Sequence, residues 1–153
     1  MPGTILGYSG KVSIKLEKTK HIYRNNGTSD LFTLIAQLLC GNDVSGSRLP
    51  SLFRLGGAKS ADSQLYDKNL LYSDISATKN VTAGGQLKLS GTLLPTNLIA
   101  SSSSYVKYRL YLYSRDDKEL AFIEIDPALI TQIGTGRQAQ IEWLISVNNM
   151  GGE

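Results

Sequence analysis

The chain has 153 residues, with 16 basic and 13 acidic residues and a formal net charge of +3. This length suits one domain with its own hydrophobic core, and the single cysteine excludes an internal disulfide or a cysteine zinc cluster. No signal peptide or membrane-spanning segment is recognisable. The sequence therefore predicts a protein made in a reducing cytoplasm, not secreted by a signal peptide and not bound to a membrane.

The first predicted element is a strand over residues 11–18, where Val12, Ile14 and Leu16 alternate with polar residues. Residues 1–10 are expected to form a flexible arm. The basic residues of this region carry no interleaved aromatic side chains, so we interpret them as a solvated face and predict no nucleic-acid partner. They are Lys11, Lys15, Lys18, Lys20 and Arg24.

The clearest local pattern predicts an amphipathic helix over about residues 28–40. Thr28 or Ser29 can cap its first turn, Asp30 complements its dipole, and Gly41 can take the left-handed conformation after its last turn. Its apolar residues share one face, which we expect to be buried in the core. These expected core residues are Leu31, Phe32, Leu34, Ile35, Leu38 and Leu39.

The middle of the chain predicts one short strand, over residues 51–55 after Pro50, and one long irregular segment, residues 58–85. That segment is mostly polar and lacks periodicity, which is typical of a functional loop or of a segment ordered by a partner. Its apolar residues are therefore expected interface residues. They are Leu65, Tyr66, Leu70, Leu71 and Tyr72.

The C-terminal half predicts four strands from the alternation of apolar and polar residues. They cover residues 86–94, 105–115, 119–125 and 138–148. Gly91 lies on the apolar face of the first of them, where a bulge or close packing would require a glycine. In the last strand, Ile141, Trp143 and Ile145 are expected in the core, and residues 149–153 are expected to be a frayed tail.

Asp126 and Pro127 predict the start of a helix of one or two turns between the last two strands. With about six antiparallel strands, the pattern as a whole predicts a mainly β domain over residues 11–148. Its expected architecture is an antiparallel β-sandwich, with the helix of residues 28–40 packed on an edge or an end.

The strand of residues 105–115 carries the most distinctive surface pattern, because one of its faces is aromatic and basic. If exposed, such a face would anchor a protein interface or stack on sugar rings. Otherwise a second sheet or a neighbouring subunit would cover it. The expected interface residues on this face are Tyr105, Arg109, Tyr111 and Tyr113, with Lys107 between them.

No catalytic or metal-binding pattern is recognisable. His21 has no second histidine to form a metal pair, and the carboxylates are scattered beside turns. Cys40 ends the apolar helical face, so we expect a small buried side chain and not a nucleophile. The sequence therefore predicts no enzyme, no catalytic residues, no metal and no cofactor.

Two stretches resemble small virion proteins of tailed bacteriophages. The first has an Asn-rich turn, the helix start GTSDLF (residues 27–32), the stop CGN (residues 40–42), and Pro50 followed by a short strand. The second is the closing strand with its lead-in, IGTGRQAQIEW (residues 133–143) and on to residue 148. The proteins they resemble are accessory structural components of head fibres, capsid decorations or tails.

The resemblance implies a non-enzymatic virion protein that is assembled in the host cytoplasm and docks onto a capsid or a tail. It would self-associate as a trimer or ring, with other virion proteins as its partners. The alternative is a carbohydrate-binding module for host-surface recognition, which would use the tyrosine-rich strand to bind a glycan.

Overall fold

The computed structural model describes residues 5–16, 18–24, 26–99 and 105–151, and it contains two five-stranded antiparallel sheets and two α-helices. This confirms the predicted mainly β fold, a sandwich with a packed helix. In chain order the elements are β1 (Ile5–Leu16), β2 (Thr19–Arg24), β3 (Asn26–Gly27), α1 (Ser29–Leu39), β4 (Pro50–Ala58), β5 (Ile75–Ser76), β6 (Thr78–Val81), β7 (Leu87–Leu93), β8 (Lys107–Ser114), β9 (Glu119–Ile125), α2 (Pro127–Gly134) and β10 (Ala139–Gly151).

The strands are divided between two sheets by their hydrogen-bonded neighbours. Sheet A has the order β2-β1-β10-β7-β6, and sheet B has the order β3-β9-β8-β4-β5. In the central strands β1, β4, β7, β8, β9 and β10, buried apolar residues of both sheets meet in one core. At its centre the rings of Phe53 and Trp143 stack with their centroids 5.8 Å apart. Ile141 and Ile145 are buried beside Trp143, as predicted.

Strands β1 and β10 pair along their whole lengths, from Leu16 opposite Ala139 to Ile5 opposite Gly151. The predicted flexible arm is therefore wrong for residues 5–10, and the predicted frayed tail is wrong for residues 149–151. Each terminal stretch supplies the backbone hydrogen-bond partners of the other, which local composition does not reveal. The rest of both predictions, residues 1–4 and 152–153, lies outside the described residues.

Helix α1 has the ends that the sequence predicted. The Thr28 hydroxyl accepts a hydrogen bond from the Leu31 amide at 3.4 Å and donates one to the Glu119 carbonyl of β9 at 2.7 Å. At the other end Gly41 has φ = 79°, and its amide donates to the Leu38 carbonyl at 3.1 Å. A left-handed glycine with these bonds closes the helix C-terminus.

The burial of α1 differs from the prediction. Only Leu31 and Leu34 are fully buried, and Ile35 packs partly against the core. The other expected core residues Phe32, Leu38 and Leu39 are 47–59% exposed, and the thiol-bearing Cys40 is exposed as well. The physical reason is that α1 packs mainly against one strand, β9, so one layer does not cover its whole apolar face.

Two further details concern the middle and the end of the chain. Strand β4 extends to Ala58, and β5 and β6 lie within the segment predicted to be irregular, so residues 59–74, 77 and 82–85 are the parts of it that lack a strand. Helix α2 starts as predicted, because the Asp126 carboxylate accepts a hydrogen bond from the Ala128 amide at 2.9 Å and Pro127 is the first helical residue.

Candidate functional site

Residues 59–74, here called the cover segment, fold back onto the outer face of sheet B. The Gly57 amide donates to the Asp67 carbonyl at 2.9 Å, and the Asp67 amide returns a bond to the Gly57 carbonyl at 2.8 Å. Further along, the Ile99 amide donates to the Leu70 carbonyl at 3.0 Å. Leu70 and Leu71 are buried in the hydrophobic core. The cover segment is therefore anchored by backbone bonds and by two core side chains.

The tyrosine-rich face of β8 lies under this segment. Tyr111 and Tyr113 are buried, and the Tyr66 ring lies edge-on to Tyr111 with the centroids 6.5 Å apart. The cover is therefore a loop of the same chain, and neither the second sheet nor the neighbouring subunit that the sequence suggested is needed for it. Gly56 of β4 leaves the space that the Tyr111 ring occupies, because a Cβ at this position would stand 2.8 Å from that ring.

The expected interface residues therefore divide into three groups. Leu70, Leu71, Tyr111 and Tyr113 are buried inside the chain, which corrects the expectation that they form a surface for a partner or a sugar. Tyr66, Tyr105 and Arg109 are half-buried in the contact between cover segment and sheet. Leu65 and Tyr72 are 85% and 70% exposed.

Lys68 is the central cation of this contact. Its Nζ donates to the Tyr113 hydroxyl at 2.8 Å and to Glu119 Oε1 at 2.9 Å, and it lies 4.8 Å from the centre of the Tyr111 ring. Burial by itself would lower the pKa of Lys68, but the hydrogen bonds to Tyr113 and Glu119 outweigh it and the pKa is raised. Lys68 therefore stays protonated and fastens the cover segment to β8 and β9.

Arg109 is the second cation of this contact and lies against two aromatic rings. Its guanidinium carbon lies 4.2 Å from the centre of the Tyr66 ring and 4.2 Å from the centre of the Phe122 ring. Its Nε donates to Glu124 Oε1 at 2.6 Å. A planar guanidinium packed against two rings gains cation–π attraction from each of them. This contact joins the cover segment to β8 and β9 at a second point.

Arg54 of β4 makes the third fastening. Its Nε and Nη2 donate to the two oxygens of Asp74 at 3.0 and 2.8 Å, and its Nη1 donates to Asp117 at 2.8 Å. The guanidinium also lies 4.3 Å from the centre of the Tyr113 ring. The hydrogen bond to Asp74 is the main cause of the raised pKa of Arg54. The bidentate geometry holds the end of the cover segment against the sheet.

The three cations of this cluster each have a carboxylate partner, so the arrangement serves as an electrostatic fastening. Within the described ranges, no group of three His, Cys, Asp or Glu side chains is placed to hold a metal ion. His21 lies on β2 opposite Ile14, with a buried Nε2 that has no hydrogen-bond partner. Across the same ranges, no helix is both long and apolar enough to cross a membrane.

The sequence contained a signal for two of the fastening cations, Arg54 and Arg109, and none for Lys68. Arg109 belongs to the aromatic and basic face that the alternation of residues 105–115 predicts. Arg54 lies between Phe53 and Leu55 in an alternating strand, so its outward direction could have been predicted. Lys68 and Glu119 are 51 positions apart in the chain. Only the path of the cover segment brings them together, and no local pattern specifies that path.

The burial of Tyr111 should make the free energy of unfolding fall at alkaline pH. Burial raises the pKa of Tyr111 to about 12 from an ordinary value near 10. Because the folded pKa is above the unfolded one, the stabilisation is complete below pH 10 and is lost as the pH rises towards 12. We expect about 2–3 kcal/mol of the free energy of unfolding to disappear over this interval.

Urea denaturation at several pH values measures this loss. The raised pKa values of Lys68 and Tyr108 add losses of the same sign. Tyr111→Phe isolates the contribution of one phenol and should flatten the slope between pH 10 and 12. An unchanged slope in Tyr111→Phe would show that this phenol is not the group responsible.

Comparison with known proteins adds no family to this description. No protein-family model, no curated protein and no solved structure matches the chain significantly.

Proposed function

We propose that the chain is a non-enzymatic structural protein of a tailed-phage virion that docks onto the capsid or the tail and self-associates. The resemblance of the α1 region and of the closing strand supports this assignment. The β-sandwich is compatible with it, and the polar cluster on sheet B fastens the fold with paired charges instead of presenting them to a substrate.

The observation that carries the proposal is the apolar surface at the end of α1. Leu38 and Leu39 are 48% and 59% exposed although they extend the apolar face that Leu31 and Leu34 begin. An apolar helical face that its own domain covers only in part is typical of a helix that packs on a second chain. Burying such a leucine completely is worth about 1.5–3 kcal/mol, so these two residues can contribute substantially to association.

Leu65 and Tyr72 provide a second exposed apolar contribution, and both lie in the segment originally expected to contact a partner. Because Leu70, Leu71, Tyr111 and Tyr113 are buried within the chain, alanine at those positions would test folding and not association. The exposed residues are the ones on which a test of self-association has to rest.

Self-association is tested by light scattering over a dilution series with the double variant Leu38→Gln/Leu39→Gln. Glutamine has nearly the helix propensity of leucine, so the substitution removes apolar surface without removing the helix. We expect the unsubstituted protein to form a trimer or ring and the variant to dissociate at concentrations at least tenfold higher, since a loss of 1.4 kcal/mol is one factor of ten.

The matched control is Thr33→Gln/Ala36→Gln, on the exposed polar side of the same helix. It should keep the oligomer of the unsubstituted protein. A monomer at all concentrations, or equal dissociation of both double variants, would contradict the proposed self-association.

Incorporation into a virion is tested separately by mass spectrometry of gradient-purified particles of the source phage. A virion component remains in the washed particles, and its absence from them would overturn the assignment.

A further inference from the structure

The outer face of sheet A contains a groove of about 650 Å³ that the proposed function does not use. Here called the sheet A groove, it has a floor of small hydroxyl-bearing side chains, among them Ser13, Ser90 and Thr92. Lys15, Lys18 and Lys20 line one side of it. The short side chains in the middle and the long ones at the side produce a trough across the strands.

The strand register orders the groove into rows. Lys20 pairs with Lys15, Lys15 with Gln140, and Gln140 with Thr92, so these four residues form one row across β2, β1, β10 and β7. Directly paired residues point to the same side of a sheet, and neighbouring strands lie about 4.8 Å apart. The row therefore extends over about 14 Å, which suits an extended polymer better than a single ion.

The charge on this face is strongly one-sided. Its basic residues are Lys11, Lys15, Lys18, Lys20, Arg24 and Lys88, whereas Glu142 is the one carboxylate of the described residues that lines the groove. Glu142 lies 3.7 Å from Lys88. The other five cations form no ion pair with a carboxylate that the structure describes. A chain with a net charge of only +3 thus gathers on one sheet five cations that no described carboxylate pairs with.

The two sheets differ in what balances their cations. On sheet B, Arg54, Lys68 and Arg109 are each paired with a carboxylate of the same chain. On sheet A, five of the six cations have no such partner among the carboxylates that the structure describes. This face can therefore attract an anion from outside the chain, and a groove with low-dielectric walls strengthens that attraction. The groove lining also offers serine, threonine and glutamine groups that can hydrogen-bond to sugar hydroxyls, and none of the described residues that line it is aromatic.

We propose that the sheet A groove binds an acidic polysaccharide, with Lys15 and Lys20 contacting its carboxylates and with Thr92 and Gln140 bonding to its hydroxyls. A lining whose described residues include no aromatic side chain disfavours single-stranded nucleic acid, because the stacking of bases on aromatic rings supplies much of that affinity. A glycan therefore binds here through charge and hydroxyl contacts, on a different sheet from the tyrosine-rich strand.

The test uses a fluorescein-labelled oligogalacturonate and measures its fluorescence anisotropy with purified protein at low and at physiological salt. We expect saturable binding that weakens with salt and is absent for a neutral maltooligosaccharide of the same length. The variant Lys15→Gln/Lys20→Gln should lose affinity about tenfold or more. Thr92→Val/Gln140→Leu should weaken binding with the salt dependence unchanged, since it removes hydrogen bonds and no charge.

The matched control is Lys59→Gln/Lys118→Gln, which removes the same charge from exposed positions outside the groove. It should change the affinity less than about twofold. Circular dichroism confirms that every variant is folded. Failure to bind the oligogalacturonate, an equal loss in the control, or displacement of the probe by a tighter-binding DNA oligonucleotide at the same lysines would overturn the proposal. The result is independent of self-association, because Leu38→Gln/Leu39→Gln leaves the groove intact.

Discussion

Trp143→Ala should lower the free energy of unfolding by about 3–5 kcal/mol, the largest effect that we expect from a single substitution. Trp143 is fully buried on β10 and stacks on Phe53 across the two sheets. Alanine removes this contact and leaves a cavity that the rigid strands around it can fill only in part. Because Trp143 is the only tryptophan, urea denaturation followed by far-ultraviolet circular dichroism is the suitable measurement.

Trp143→Phe distinguishes the loss of packing from the loss of the indole N–H. The indole Nε1 is buried with no hydrogen-bond partner, so phenylalanine removes an uncompensated donor while keeping an aromatic ring beside Phe53. We therefore expect Trp143→Phe to cost less than half as much as Trp143→Ala. Equal costs for the two variants would show that the stacking contributes little and that this account of the core is wrong.

Gly91→Ala should destabilise the fold by about 1–3 kcal/mol, although the change adds only one methyl group. A Cβ at position 91 of β7 would stand 2.9 Å from the Phe53 ring and 3.1 Å from the Ile75 side chain. Phe53 cannot move away easily because its other neighbour is the Trp143 ring. The strain exceeds the gain of about 0.4–1 kcal/mol that replacing glycine brings through the unfolded chain.

The control for this prediction is Gly84→Ala, in the turn between β6 and β7. The nearest atom to a Cβ there is a Thr82 hydroxyl at 3.9 Å, so this variant should be neutral or slightly more stable. Combining Gly91→Ala with Trp143→Ala tests the mechanism, because the cavity lets the Phe53 ring shift. The double variant should then cost at least about 0.5 kcal/mol less than the two single costs added together. Strict additivity would contradict a clash that passes through Phe53.

The two sheets provide different surfaces to the outside. Sheet B is closed by the cover segment, and the cations Arg54, Lys68 and Arg109 in that contact are each paired with a carboxylate. On the groove face of sheet A, five cations form no ion pair with a carboxylate that the structure describes. The exposed leucines at the end of α1 form a third surface, with apolar chemistry. These differences separate the proposed subunit contact from the proposed glycan contact, so each can be disrupted without affecting the other.

Elements with strong local signals were predictable from the sequence. The helix ends at Thr28 and Gly41, the start of α2 at Asp126, and the close packing at Gly91 all follow from residue types whose conformational preferences act within a few positions. The strands with regular alternation were predictable for the same reason, because one buried face selects every second residue.

The tertiary structure alone decided which apolar and charged residues are covered. The sequence determined that α1 has one apolar face, but the position of β9 decided that Leu38 and Leu39 stay exposed. The sequence likewise determined that tyrosines share one face of β8, but the path of the cover segment decided that Tyr111 is buried beneath Tyr66 and Lys68. The physical reason is the distance along the chain over which each kind of interaction acts. Periodicity and capping depend on neighbours along the chain, whereas burial and charge pairing depend on segments that meet only after folding.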